Sequence, residues 1–232
     1  RSPTDSPHDS LPPHHPLSMM RHIFLISLTI LIAMAGNKIS AKETYTDPYV
    51  NYDESIFMDM ELEQNILTPA VGKHEHPAVS KYMKRIGMDL AKKGYIIDMM
   101  RDDEVVLVTL PTDDLFLPND TLLSPSAPAK FGPVMALLKD PEMFKVVYTV
   151  HTDNTGSSQY NMYLSHERNN SIYDWILTQI SEDLIVIPYE MGDSDPVMGN
   201  DSRDGRAANR RVEIYLIPGP KMITEAHNGV LK

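Results

Sequence analysis

The sequence has no cysteine. That excludes a disulfide framework, a thiolate metal ligand, a thiol nucleophile and a lipid-carrying cysteine within these 232 residues. It says little about compartment, since an oxidising location permits disulfides without requiring them. Positive charge is also scarce. Lys and Arg number 21 against 32 Asp and Glu, a net charge of −11. No large basic surface is available to neutralise phosphates, so general affinity for nucleic acid or an anionic membrane is excluded. Long apolar runs are the third shortage. The mostly apolar stretch from Ile23 to Ala35 is too short to span a bilayer comfortably. It follows the basic pair Arg21-His22 and precedes small residues at Ala33-Met34-Ala35 and Ile39-Ser40-Ala41. Residues 20–41 therefore read as a cleaved secretory signal. Residues 1–19 are rich in proline and serine and lack apolar periodicity, so they read as a disordered upstream extension.

The remaining length suits one good-sized domain or two small ones. Residues 42–76 are acidic, carry Tyr45, Tyr49 and Tyr52 without a clear period, and read as an arm or linker able to dock a partner. His74-Glu75-His76 resembles part of a metal site but has no ligand at helical spacing nearby. It reads as solvated linker, and no metal or cofactor is expected. Pro77 suits the start of a helix, and Val79, Tyr82, Met83, Ile86 and Leu90 recur at three- and four-residue spacing. Lys92, Lys93 and Gly94 end it.

Tyr95–Met100 and Glu104–Leu110 read as strands across an Arg101-Asp102-Asp103 turn, the second apolar on both faces and hence central. A loop from Leu115 to Thr121 leads to a helix over Ser124–Lys139, which Gly132-Pro133 should kink or delay. Lys145–Val150 is a second central strand, Gln159 to about Ile180 a long helix, and Leu184–Pro188 a third strand. In the last strand Val212, Ile214 and Leu216 alternate with Glu213 and Tyr215, giving one more polar face. The fold class implied is α/β (α+β), a mixed β-sheet in βαβαβ-β order with helices packed over it. The domain spans 77–220, including an extra N-terminal helix and strand, and 221–232 is a tail. Ligands commonly bind outside the carboxyl ends of such strands, where the loops carrying Asn119 and Asp153 should lie.

One feature of the long helix is anomalous. Tyr160, Leu164, Arg168, Ile172, Ile176 and Ile180 fall at successive four-residue steps, so Arg168 interrupts an apolar column. Asn161, nearly two turns earlier, projects from the same face. A desolvated arginine needs an acceptor, and Asp153 at the loop entering the helix is close in sequence. The pair reads either as a salt bridge with an Asx turn or helix cap at Asp153, or as a clamp on a zwitterion. Arginine offers a carboxylate a planar fork, and aspartate accepts from an ammonium. A catalytic reading on His151, Asp153 and Glu167 is weak. Ser157 and Ser158 lack a nucleophile-elbow context, and the histidines lack metal spacing, so no enzyme is expected.

Thr152-Asp153, Gly156, Asn161, Leu164-Ser165 and Arg168 continue downstream in Gly192, Pro196, Asn200, Gly205-Arg206 and Asn209-Arg210-Arg211-Val212-Glu213. With Phe116 and Leu122, this pattern over about residues 95–217 resembles the OmpA-like domain, shared with the C-terminal regions of MotB and of peptidoglycan-associated lipoprotein. The resemblance implies non-covalent binding of peptidoglycan, chiefly the diaminopimelate of its stem peptide. It places the grip at Asp153 and Arg168, with support from Thr152, Asn161, Arg210 and, from its loop, Asn119. It also implies an exported protein of the periplasm or outer membrane in a Gram-negative-type envelope, with peptidoglycan and other envelope proteins as partners. The sequence departs from the family at Val150, where glycine is frequent, at Asn169 after the arginine, and at Tyr189-Glu190-Met191 before Gly192.

Overall fold

The computed structural model describes residues 45–181 and 183–232. The expected extension and signal segment lie outside the described residues. In chain order the elements are helices α1 (Glu54–Met58), α2 (Leu62–Leu67) and α3 (His76–Lys92), strands β1 (Ile96–Met100) and β2 (Val105–Pro111), helix α4 (Ala127–Met135), strand β3 (Phe144–His151), helix α5 (Ser158–Leu177), strand β4 (Val186–Gly192), helix α6 (Arg203–Asn209), strand β5 (Arg211–Pro218) and helix α7 (Pro220–His227). The sheet order is β1-β2-β5-β3-β4. Only β3 and β4 pair in parallel; the other neighbours are antiparallel. The mixed α/β class implied by the residues is the one observed.

Period-two alternation divides the strands between two cores. Val106, Val108 and Leu110 of β2, Val146, Tyr148 and Val150 of β3, and Val212, Ile214 and Leu216 of β5 face the main core. Helices α3, α4, α5 and α7 contribute Met83, Phe131, Ile172 and Met222 to it. The intervening residues Val105, Leu107, Val147, Tyr215 and Ile217 face a second core with Tyr49, Phe57 and Ile66. Helix α4 begins only at Ala127, and Pro133 lies within it near its end.

Two stretches differ from their sequence reading. Where an arm or linker is expected, residues 45–69 form a packed cover over the second face of the sheet. Tyr49 donates to Pro218 O at the end of β5 (2.6 Å), and Asn65 donates to Tyr189 Oη of β4 (2.6 Å). Arg101 donates to Ile66 O (2.8 Å) and Pro69 O (2.7 Å) from a turn in which Arg101, Asp102 and Asp103 all have positive φ. Sequence pattern conceals these anchors because the buried residues Tyr49, Phe57 and Ile66 are widely spaced and have exposed apolar neighbours such as Val50, Met58 and Leu67. The expected tail is helical as α7, with Met222, Ile223 and Ala226 buried.

The polar face of β5 is polar but not solvated. Arg211 donates from Nε to Glu213 Oε1 (2.8 Å) and pairs through a terminal nitrogen with Asp195 (3.1 Å). Tyr215 donates to Glu213 Oε2 (2.7 Å), and His151 Nε2 lies 3.6 Å from the same oxygen. Burial works to raise the Glu213 pKa, but His151 and Arg211 outweigh it and hold the carboxyl at about 2. A carboxylate whose folded pKa is depressed contributes stability that is fully present above its unfolded value and is lost as pH falls through the folded one. Urea denaturation should therefore lose about 3 kcal/mol attributable to Glu213 between about pH 4.5 and pH 2. Glu213→Gln should flatten that interval, and an unchanged pH slope in the variant would refute the assignment.

Candidate functional site

The carboxyl ends of β2, β3 and β4 and the start of β5 share one edge of the sheet: Pro111 pairs with Arg211, Val150 with Val212, and His151 with Gly192. Four segments meet there. After β2, Thr112 donates from its backbone to Arg210 O (3.0 Å), which sets Asp113 beside the arginine. After β3 come Thr152 and Asp153, with Thr152 N donating to Gly192 O (2.8 Å). Helix α5 begins at its Ser157 cap, whose Oγ accepts from Tyr160 N (3.2 Å), and carries Asn161 and Arg168. Asn209, 0% exposed, accepts from Val197 N and Met198 N and donates to Met198 O and Asn200 Oδ1, holding the loop before β5.

Gly192 has a φ of +51°, and a Cβ there would meet the backbone of Met162 at 3.2 Å, so glycine alone lets β4 end against α5. Its N–H donates to Ser165 Oγ (3.1 Å), which fixes that contact. Asn169 and Glu190, two of the departures from the family pattern, are joined to each other: Asn169 Nδ2 donates to Glu190 Oε2 (3.3 Å). The third, Val150, is fully buried in the main core.

Asp153 and Arg168 are not an ion pair. Asp153 Oδ1 accepts from Thr155 N (2.8 Å), the expected Asx turn, and Oδ2 accepts from Arg210 (2.7 Å). Arg210 also forms a bidentate pair with Asp113, Nε to Oδ1 at 2.9 Å and a terminal nitrogen to Oδ2 at 2.7 Å. Asp113 thereby joins the candidate site, which the sequence does not signal, because beside Asp114 after a strand it reads only as a turn acid. Burial would raise the Asp153 pKa; Arg210 and the Thr155 N–H outweigh it, so the carboxyl lies below its ordinary value. Arg210 in turn is raised, first by Asp113.

Arg168 is 5% exposed. Its Nε donates to Asp120 O (2.9 Å), and its guanidinium lies over the Phe116 ring at 4.8 Å from the centroid. These contacts hold the plane from the side of the loop that follows β2. Among the described residues its two terminal nitrogens have no hydrogen-bond partner. Thr152 Oγ1 and Asn161 Nδ2 are buried without a partner as well. Asn119 is exposed on the same loop with a φ of +58°. The edge thus combines an ionised aspartate, a prepositioned guanidinium fork and two unpaired polar atoms. That set suits recognition of a small group bearing both charges, whereas His151, 1% exposed and bonded through Nε2 to Thr149 Oγ1 (2.7 Å), is withdrawn from solvent.

These features define a mixed-sheet α/β module with a charged edge at the carboxyl ends of its strands. Residues 115–210 match the OmpA family. It is 28% identical over 126 residues to "Probable lipoprotein YiaD" of Escherichia coli K12, covering 54% of this chain and 58% of that one. It is 35% identical over 119 residues to outer membrane protein A of Escherichia fergusonii, covering 47% and 49%. The matches thus span about half the length of these relatives. The fold also matches the crystal structure of a MotB-like protein from Desulfovibrio vulgaris, at 20% identity and a TM-score of 0.51, covering 62% of this chain and 95% of that one. Among the described residues no helix is long and apolar enough to cross a membrane.

Proposed function

We propose that this domain binds peptidoglycan non-covalently by the zwitterionic end of the diaminopimelate in its stem peptide, and so holds an exported envelope protein to the cell wall. The observation that carries the reading is the Arg168 fork, held by Asp120 O and Phe116 with its terminal nitrogens unpaired among the described residues. The fork receives the ligand carboxylate, and Asp153, with lone pairs beyond those used by Thr155 and Arg210, accepts from the ammonium. Thr152 and Asn161 supply the further polar contacts, Arg210 fixes the aspartate, and Asn119 borders the ligand from its loop. The role is binding rather than catalysis, and a weak single grip suffices where many copies engage a repetitive polymer.

The test is sedimentation with purified sacculi. The full chain should pellet with diaminopimelate-type walls and far less with lysine-type walls. Charge-assisted hydrogen bonds contribute roughly 1.5–3 kcal/mol each, so losing two should weaken binding about a hundredfold or more. Arg168→Lys keeps the charge without the fork and should fail to pellet while melting near the parent temperature. Asp153→Asn should fail likewise. Retention of both variants with the walls would overturn the site, and release of soluble muropeptides would point to a hydrolase.

A further inference from the structure

His74-Glu75-His76 reads as solvated linker in the sequence, but the fold treats its three residues differently. Glu75 is 7% exposed at the start of α3. His76 turns away to Glu104, Nδ1 to Oε1 at 2.7 Å. His74 Nδ1 stays beside Glu75 Oε1 at 3.3 Å, and His227, the last residue of α7, brings its Nδ1 to the same oxygen at 2.8 Å. The ligand atoms of His74, Glu75 and His227 all lie within 4.8 Å of one another. Tyr45 stacks on the His227 ring, centroids 4.0 Å apart, and its hydroxyl lies 3.2 Å from Thr224 Oγ1, so the imidazole is held in place.

We propose that His74, Glu75 and His227 form a binding site for a divalent transition-metal ion of the zinc type. Two imidazoles and a carboxylate are a borderline-soft donor set, suited to zinc rather than to calcium or magnesium, which prefer oxygen cages. Zinc bonds of about 2.0–2.1 Å in tetrahedral geometry place donors roughly 3.3 Å apart. The Glu75–His74 distance is already 3.3 Å and the Glu75–His227 distance 2.8 Å, so small side-chain rotations admit the ion. His74 is 72% exposed at its side chain, which leaves an entry path and room for water as a fourth ligand. The ion would tie the start of α3 to the end of α7, positions 152 residues apart in the chain. Because the site exists only when both helices are docked, binding favours the folded state.

The experiment uses the full chain, stripped with EDTA, and titrates zinc chloride by calorimetry and by thermal melting. The parent should bind one zinc in a site that weakens at least tenfold in His74→Gln and in His227→Gln. Its melting temperature should rise by roughly 5–10 °C at a hundredfold excess over Kd, with the rise absent in both variants. His74→Gln keeps a donor for Glu75 at an exposed position, so its loss of binding cannot be blamed on unfolding. Equal binding by parent and variants would assign the zinc to histidines elsewhere and overturn the site. No heat and no shift would leave Glu75 as a carboxylate hydrogen-bonded by two imidazoles only.

Discussion

Replacing Phe57 by alanine is expected to lower the free energy of unfolding by about 3–5 kcal/mol, the range for removing a large aromatic from a packed core. Phe57 is 0% exposed in the second core. It stacks on Tyr52 at 5.3 Å and meets Tyr49 edge-on at 6.1 Å, and the Lys145 ammonium lies 4.3 Å from its centroid. Its backbone carbonyl also accepts from Asn65 Nδ2 (2.6 Å), so the ring and the turn of α2 are placed together. The consequence reaches beyond one cavity. Residues 45–69 touch the middle of β4, the end of β5 and the β1–β2 turn, and losing their central aromatic exposes Val147, Tyr215 and Ile217 beneath them. Equilibrium urea denaturation of parent and Phe57→Ala checks this. A loss under about 1 kcal/mol would mean that the cover is not part of the cooperative unit.

That cover was the least legible part of the fold, for a physical reason. Strands and long helices announce themselves by period: β2 is apolar on both faces because both faces are covered, β3 carries an unbroken apolar face through Val146, Tyr148 and Val150, and α3 repeats at helical spacing. A cover made of two short helices needs only one or two anchors per turn. Tyr49, Phe57 and Ile66 are eight or nine residues apart among acids, and no period reveals them. The same mechanism hid α7, whose eight residues are too few for a repeat. It also explains why β5 alternates apolar with polar residues and yet is buried throughout, since Arg211, Glu213 and Tyr215 satisfy one another.

The site was legible in its members and not in its pairings. Arg168 is indeed buried on its apolar column, and Asp153 does make an Asx turn. Spacing alone suggested that the two would meet, because they are close in the chain. Instead Asp153 takes Arg210, 57 residues away, and Arg168 takes a backbone carbonyl and an aromatic face from the loop after β2. Long-range register decides those partners: Pro111 opposite Arg211 brings Asp113 and Arg210 together, and no local pattern encodes that pairing. With Asp153 paired to Arg210, that carboxylate does not neutralise Arg168.

Lys145 carries the second large expectation, a pH dependence in the alkaline direction. It sits on β3 with 0% exposure, donating to Asn65 O (2.7 Å) and Oδ1 (3.1 Å) beneath Phe57. Burial, reinforced by the nearby Arg101 charge, pushes its pKa down to about 7 from 10.5. In the unfolded chain the ammonium keeps its proton up to about pH 10.5, so between about 7 and 10.5 the unfolded state binds more protons than the folded one. Stability therefore rises with pH across that window and is lowest below about pH 7, where a charged lysine must be buried. A shift of this size corresponds to about 4–5 kcal/mol between the two ends. Lys145→Met removes the charge at the expense of two hydrogen bonds to Asn65. It should be more stable than the parent at pH 6 and lose that advantage by pH 9.5, where tyrosines do not yet ionise extensively. Phe57→Ala, by admitting water to the ammonium, should return the Lys145 pKa toward its ordinary value and flatten the parent slope. Denaturation at pH 6, 7.5 and 9.5 on all three proteins decides it. Parallel pH profiles for parent and Lys145→Met would show that Lys145 stays charged in the fold throughout.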